Sequence, residues 1–438
     1  MKRNVLLFCL LISLSFLVGC QPSPGGDTLP PPSIPPCNDV VNATKYGLST
    51  ENDGARNSIA LQSLIDVLSE QGGTIYIPSG EYAFAANGTQ TLGSHCIKMR
   101  SNVNIVGDGD TTVLKPIGDS WYGLDMFYFN DYLDTDNPIY LRNCRFESFV
   151  IDAIGTSSKY YTSAGKGFMF NLFENCHWRN VTVKNTDATG FGVDCPIDST
   201  ISECTAIACG KAATEENTGA SGFGIGFGYS EHESLTITNC KANDNKKFGF
   251  FFEHQGRFNN EKYHAVPTEF FRIKNCEAVG NLFGFGGVCT TNTVYEKCSS
   301  MESLRCGFMF KNSRNSGAVD CTSENEGEAS FAILQTADNG APEVKDISYL
   351  RCLGKRARIG LQIISENSSV LMGNNRAENC IFEQTEHPVY TQGVMQSLIL
   401  SGNSANTGKN CFLAETDDFQ NIGNSWNQNA ANHDKNEN

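Results

Sequence analysis

Charge is scarce in this 438-residue chain: Asp, Glu, Lys and Arg together supply only 18% of it. That excludes a charge-rich disordered protein and a long coiled coil. Positive charge is the scarcer sign, with 33 Lys and Arg against 48 Asp and Glu, for a net charge of -15. Nucleic acid and an anionic membrane surface are therefore excluded as main partners, although a local basic site is not. Beyond the first 20 residues no run is long and apolar enough to span a bilayer. What is abundant points to a sizeable core: 40% hydrophobic residues, 42 Gly and 28 Phe. The length suits one large domain or two ordinary ones.

The first residues carry Lys2 and Arg3 ahead of a short apolar run that ends in Leu17-Val18-Gly19-Cys20. This ending resembles the lipobox of bacterial lipoproteins; an ordinary signal peptide or membrane anchor is the plainer alternative. The resemblance implies a signal peptide over 1–19, cleavage before Cys20 and lipidation of that thiol. It further implies an exported protein of the bacterial cell envelope, held at the outer membrane through its lipid anchor alone. Residues 20–40 then read as the lipidated Cys and a Pro-rich, semi-rigid linker. Residues 41–425 read as the folded domain, and 426–438 as a frayed polar tail.

Eighteen cysteines in an exported chain invite a disulfide framework, but their placement argues for a repeat. Segments from Glu233, Glu269 and Thr291 can be laid over one another, with looser copies from Asp198, Ser316, Asp346 and Asn374. In each, a short alternating strand ends at a Cys, a polar turn follows, and a Gly-aromatic strand closes the copy. The marking residues are Cys204, Cys240, Cys276, Cys298, Cys321, Cys352 and Cys380, spaced by 36, 36, 22, 23, 31 and 28. A unit of such short strands cannot bury its own apolar face, whereas stacked copies can, so the pattern predicts a solenoid. Equivalent cysteines then lie above one another, about 4.8 Å apart. Side chains pointing in parallel suit stacking better than bonding, so free thiols are expected.

Upstream, Ile59, Leu61, Leu64, Ile65 and Leu68 mark one face of a helix over 58–69, with Asn57 or Ser58 as its cap. Gly72-Gly73 ends it, Thr74 to Ile77 is a strand, and Pro78-Ser79-Gly80 is a turn. Such a helix can cover the open end of a coil and protect its bare edge. The order of a YG start, a helix and then GGTIYIPSGEY resembles the opening of the pectate-lyase superfamily. That resemblance covers roughly residues 41 to 425 and implies an all-β, right-handed parallel β-helix with an N-terminal capping helix. It is poor for function, because lyases, hydrolases, epimerases and phage tailspikes share the fold.

Two motifs carry less than they suggest. Asn185-Thr186-Asp187 and Arg272-Ile273-Lys274 resemble polygalacturonase motifs, but the paired aspartates and the Gly-His-Gly between them are missing. Both sit in the ordinary repeat slot. The Gly-rich run 222–228 lacks the βαβ unit of a nucleotide loop. Alternating glycines in a strand instead let a ligand approach the backbone.

The stretch 222–272 concentrates chemistry. Three of the seven histidines, His232, His254 and His264, lie here with Tyr229, Glu231, Lys247, Glu253, Arg257 and Lys262. Residues 256–268 form a long excursion before the next rung, the kind of loop on which sites sit. Tyr229 and His232 end one rung, and Glu253 and His254 end the next, so the register predicts one shared face. Each residue alone is as well explained by the polar turns of any such coil; the cluster is what points to function.

The run Phe227-Gly-Tyr-Ser-Glu-His-Glu233, followed by Gly249-Phe-Phe-Phe-Glu-His254, resembles the motif of mannuronan C5-epimerases. His232 and Glu233 match that motif, and Glu253 stands where its second aspartate belongs. Ser230-Glu231 replace Asp-Pro, His254 replaces a Tyr, and Tyr229 is shifted. The resemblance implies a polysaccharide or oligosaccharide partner containing uronic acid. The clustering of these side chains and the long loop point to Tyr229, His232, Glu253, His254 and Arg257 as catalytic groups, with Glu231, Lys247, Lys262 and His264 binding substrate. Arg257, Lys247 or a protonated His would neutralise the uronate, and His232 or Tyr229 would take the C5 proton. Loss of the 4-oxygen makes a lyase; reprotonation on the other face makes an epimerase. Glu231 or Glu253 would orient the base or hold calcium, although no EF-hand-like loop is present. The alternatives are a glycan-binding or purely structural surface coil.

Overall fold

The computed structural model describes residues 40–130, 138–214, 219–258, 265–336, 343–366, 372–406 and 416–425. The expected signal segment, Cys20, the linker to residue 39, Lys262, His264 and the tail 426–438 lie outside the described residues. All the described residues belong to one compact unit.

Its architecture follows from the repeat. The strands Leu235–Thr238, Lys241–Asn243 and Phe248–His254 make one rung. On it lie Phe271–Lys274, Glu277–Val279 and Phe283–Val288, then Thr293–Glu296, Ser299–Met301 and Cys306–Lys311. Every one of these inter-rung pairings is parallel. Continued in both directions, the rungs build one sheet of 25 strands and one of 13. The protein is a parallel β-helix.

The cysteines mark the corners. Lys241 pairs with Glu277 and Glu277 with Ser299, so Cys240, Cys276 and Cys298 stand in successive rungs. The residue before each is left-handed: Asn239 at φ 54, Asn275 at 52 and Lys297 at 53. Asn tolerates that conformation because its short side chain bonds locally. The turn aims the next side chain inward, where a small thiol fits. Cys240 Sγ faces Thr238 O at 3.3 Å and Ile201 O of the rung below at 3.6 Å, and Cys276 and Cys298 repeat the pattern. All 14 described cysteines are free thiols.

Phenylalanine fills the rest. Phe127, Phe168, Phe191, Phe223, Phe250, Phe285, Phe308 and Phe331 form one unbroken internal column, with neighbouring ring centroids 4.7 to 5.5 Å apart. All eight rings are buried.

The helix near the start is real but shifted. It spans Gly54–Leu68 and is capped by Asp53, whose carboxylate accepts from Arg56 N at 2.9 Å. Asn57 and Ser58 do not cap it. They are buried and tie the helix down instead, Asn57 to Ser49 O and Ala83 O, and Ser58 to Ala85 O. Leu61, Leu64, Ile65 and Leu68 enter the core, but Ile59 is 58% exposed and belongs to the opposite face. The helix packs on the strands Gly73–Tyr76, Gly80–Phe84 and Gly93–Lys98.

Candidate functional site

In the 13-stranded sheet the stacked column from Phe127 to Phe331 points inward, so the residues alternating with it face out. Successive strands Phe168–Glu174, Phe191–Ile197, Phe223–Phe227 and Phe248–His254 place Asn171, Asp194, Gly226 and Glu253 in one outward column. The adjacent column holds Met169, Gly192, Gly224 and Phe251. Two glycines side by side leave a depression, and Lys166 uses it. A Cβ on Gly192 would lie 2.6 Å from Lys166 Nζ and closer still to Lys166 Cδ. Only glycine lets that side chain lie flat on the sheet.

Lys166 is 9% exposed and has a carboxylate on either side. Asp125, fully buried, accepts from Gly165 N and Lys166 N at 2.7 Å each and from the Gln90 amide. Asp194 accepts from Gly226 N at 2.6 Å, and the Asn171 amide, with its nitrogen turned toward Asp194, donates to the other oxygen at 3.0 Å. Burial pushes Asp125 up to about 6 and raises Asp194, while the Lys166 charge pulls both the other way. The Lys166 ammonium has a soft neighbour in Met169 Sδ at 3.3 Å.

Beyond Phe227 the chain makes a turn held by one carboxylate. Glu233, fully buried, accepts from Gly228 N at 2.6 Å, Tyr229 N at 2.9 Å and Ser230 N at 3.1 Å. Burial lifts it to about 7 against those three donors. The Tyr229 ring consequently packs on Leu172 and Cys195, next to Tyr140.

The expected site residues divide into three groups. Tyr229, Glu253 and His254 come together at the edge where these strands end: Gly226 pairs with Glu253 and Phe227 with His254. Glu231 and His232 are exposed on the rim of the turn, and the His232 ring makes no hydrogen bond to a described residue. Lys247 stands at the opposite end of its strand from Glu253, about 20 Å away at the ordinary rise per residue.

His254 has a fixed tautomer. Gly256 N donates to its Nδ1 at 3.0 Å, so Nε2 carries the proton and donates to Ala265 O at 2.8 Å. The ring also sits edge-on to Phe227 at 5.3 Å. His254 thus fastens both ends of the excursion that follows it. Glu231 O seats the return, accepting from Thr268 N at 3.0 Å and from its hydroxyl at 3.1 Å. The backbone of Arg257 lies in a single 3-10 turn, Gln255–Phe258.

Lys166, Asp194, Asn171 and Asp125 escaped the sequence reading. Aligning the strands Phe168–Glu174 and Phe191–Ile197 with 222–228 brings out the column of Asn171 and Asp194. Asp187 of the NTD tripeptide is buried at 2% exposure and pairs with Lys211 at 3.5 Å, while Ile273 of the RIK tripeptide points into the core. Among the described residues no group of three or more His, Cys, Asp or Glu is placed to hold a metal ion.

A family model described as rhamnogalacturonase A/epimerase, pectate lyase-like, matches residues 40–278. Among solved structures, the A-module of mannuronan C-5 epimerase AlgE4 from Azotobacter vinelandii is similar with a TM-score of 0.61 at 17% identity, over 89% of this chain and 98% of that one. An exopolygalacturonase from Thermotoga maritima gives 0.58 at 14%, over 84% and 93%. A mutant tailspike protein of E. coli bacteriophage HK620, in complex with a pentasaccharide, gives 0.59 at 14%, over 88% and 71%. At these identities the likeness is one of fold. No curated protein matches the chain.

Proposed function

Because the chain belongs to the rhamnogalacturonase A/epimerase, pectate lyase-like family, we propose that it acts on a uronic-acid-containing polysaccharide by C5 proton abstraction, as a lyase or an epimerase. The observation that carries this reading is the Lys166 ammonium laid over Gly192 on the outer sheet face, beside Asp194. A uronate C5 proton is too weakly acidic to remove until its carboxylate is neutralised. Lys166 supplies a positive charge for that purpose, and Asp125 and Asp194 hold it in place. His232, whose ring makes no hydrogen bond to a described residue, or Tyr229 takes the proton. The electrons of the broken C–H bond then expel the 4-oxygen and leave an unsaturated uronate, or collect a proton on the opposite face. His254, with both nitrogens committed, positions the excursion.

His232→Ala is expected to lower turnover of polygalacturonate or alginate by about 10² to 10⁴. Its melting temperature should stay near that of the parent, because the ring is exposed. Ultraviolet absorbance of the unsaturated product detects the lyase, and NMR of the polymer detects inversion at C5. Undiminished turnover would remove His232 from the mechanism. A hydrolase is the second reading, favoured by Asp194 and Glu253 with only Gly226 between them. Two strand spacings put their backbones about 10 Å apart, near the roughly 6.5 to 9.5 Å separating the carboxyls of inverting glycosidases. New reducing ends without unsaturation would select it. We also propose attachment to the cell envelope through Cys20, on the strength of the lipobox and the spacer behind it. Cys20→Ala should then move the protein from the membrane to the soluble fraction.

A further inference from the structure

Aromatic side chains in this protein are mostly internal, and three that are not stand together. Trp121 is 61% exposed, Tyr122 44% and Tyr160 49%, whereas Trp178 is fully buried. Trp121 and Tyr160 stack with centroids 6.0 Å apart, and Tyr122 lies 6.0 Å from Tyr160. Lys159 Nζ sits 4.0 Å above the Trp121 ring and 5.5 Å from that of Tyr160. Exposed apolar surface gathered in this way marks a binding site.

The group is held rigidly. Gly118–Ser120 pairs in parallel with Thr156–Ser158. The ribbon continues through Lys159 N to Ser120 O and Tyr160 N to Trp121 O, both 3.0 Å, and Gly123 N bonds Ser120 Oγ at 2.9 Å. Two neighbouring rungs thereby present their rings on one backbone ladder, which lowers the entropy cost of binding. Trp121 and Tyr122 line a cleft of about 640 Å³ whose other walls include Thr89, Gln90, Thr91 and Asp119. Gln90 is the link to the candidate site, because its amide bonds Asp125, which in turn bonds Lys166 N. The strand register sets Lys166 level with Asp125, one strand spacing or about 5 Å away.

We propose that this cleft is a distal subsite that stacks a pyranose ring of an acidic polysaccharide on Trp121 and Tyr122, with Lys159 pairing its carboxylate. The inference rests on the function proposed above and extends it. Flat apolar rings rimmed by hydroxyl and amide groups suit the alternating C–H and O–H faces of a sugar. A lysine on a chain of net charge -15 selects the acidic sugar, and the same net charge disfavours a nucleic acid on the same rings. The occupant is a polymer long enough to reach Lys166, because the cleft itself holds none of the proposed catalytic groups.

Polygalacturonate and alginate, short uronate oligomers and neutral dextran are the probes. Trp121→Ala should raise KM for the acidic polymer about tenfold, equivalent to about 1.4 kcal/mol, with kcat held and short oligomers unaffected. Trp121→Phe should recover part of the loss. Lys159→Gln should weaken the preference for acidic over neutral polymer in binding, and binding should change tryptophan fluorescence in the parent but far less in Trp121→Phe. Equal polymer KM in the parent and Trp121→Ala would overturn the subsite while leaving the proposed function standing. A parent that neither binds nor turns over any acidic polymer would overturn that function, and the subsite with it.

Discussion

Glu233 shows how far a residue's role depends on the turn it closes. Three consecutive N–H groups converge on its carboxylate only after the chain has bent beyond Phe227, so nothing in the run Glu231-His232-Glu233 distinguishes the buried acid from the exposed one. Burial within that run cannot be assigned from the sequence alone. Buried carboxylates also set the acid-base behaviour of the fold. Burial lifts Glu233 and Glu326 to about 7 and Asp125 to about 6. Each binds its proton more tightly folded than unfolded. Their contribution is therefore complete below the ordinary carboxylate value and is lost as pH rises through 6 to 7. His95, pushed down to about 4 by burial, works the other way in part of the same window. A single substitution isolates the carboxylate effect. Glu326→Gln imitates the protonated form: its amide oxygen accepts from Ser303 N, and its NH2 takes the second position and donates to Ser323 Oγ. It should match the parent near pH 5 and exceed it by about 1 to 3 kcal/mol near pH 8. Urea unfolding at the two pH values measures this, and a parent as stable as the variant near pH 8 would contradict it.

At the scale of the element, each rung is a strand, a left-handed corner and an inward thiol. The repeat made the Cys positions legible, because they recur whatever lies between them. The corner residue before each Cys varies more: Asn239, Asn275 and Asn379 share the position with Lys297 and Arg351, all at φ 51 to 54. A long side chain bears a larger strain there than Asn. Lys297 is exposed, so Lys297→Asn should raise stability by about 0.5 to 1 kcal/mol, read as a higher urea midpoint at unchanged slope. A lowered midpoint would show that the Lys297 stem contributes packing worth more than the strain. The aromatic strand was less legible. In Phe248-Gly-Phe-Phe-Phe252 aromatics fall on both parities, so period-two alternation cannot say which side is inside. Phe250 and Phe252 face the core, while Phe251 joins Val288, Met309 and Ala332 in a second apolar cluster on the outer face. Phe250 lies between Phe223 at 4.7 Å and Phe285 at 4.9 Å. Phe250→Ala should cost about 3 to 5 kcal/mol, and Phe250→Leu distinctly less. Equal losses would show that ring stacking, rather than filled volume, holds the column.

Over the whole molecule, the coil explains why the candidate site is scattered through the sequence. Each rung contributes one outward residue per column, so Asn171, Asp194 and Glu253 line up only through register, and the Lys166 side chain reaches Gly192 of the next rung. The cluster at 229–254 was legible because it is local, and Lys166 was not because its meaning lies in a glycine 26 residues later. The same geometry sets a contest between long-range and short-range charge. At -15 the surface as a whole repels a polyanion, while Lys166 at the centre of the outer face and Lys159 at the cleft attract it on contact. Raising ionic strength from about 0.01 M to about 0.1 M shortens the screening length from roughly 30 Å to roughly 10 Å. That removes repulsion exerted from across the coil but leaves most of an attraction acting at a few ångströms, more so for an ammonium that is only 9% exposed. Hence kcat/KM on polygalacturonate or alginate should rise over that range and fall again toward about 1 M, where roughly 3 Å of screening reaches the contact pairs themselves. Lys166→Gln should lose the high-salt fall along with most of the activity. A steady decline from the lowest salt upward would mean that local cations govern the approach at every distance, and the overall charge would then have no part in selecting the substrate.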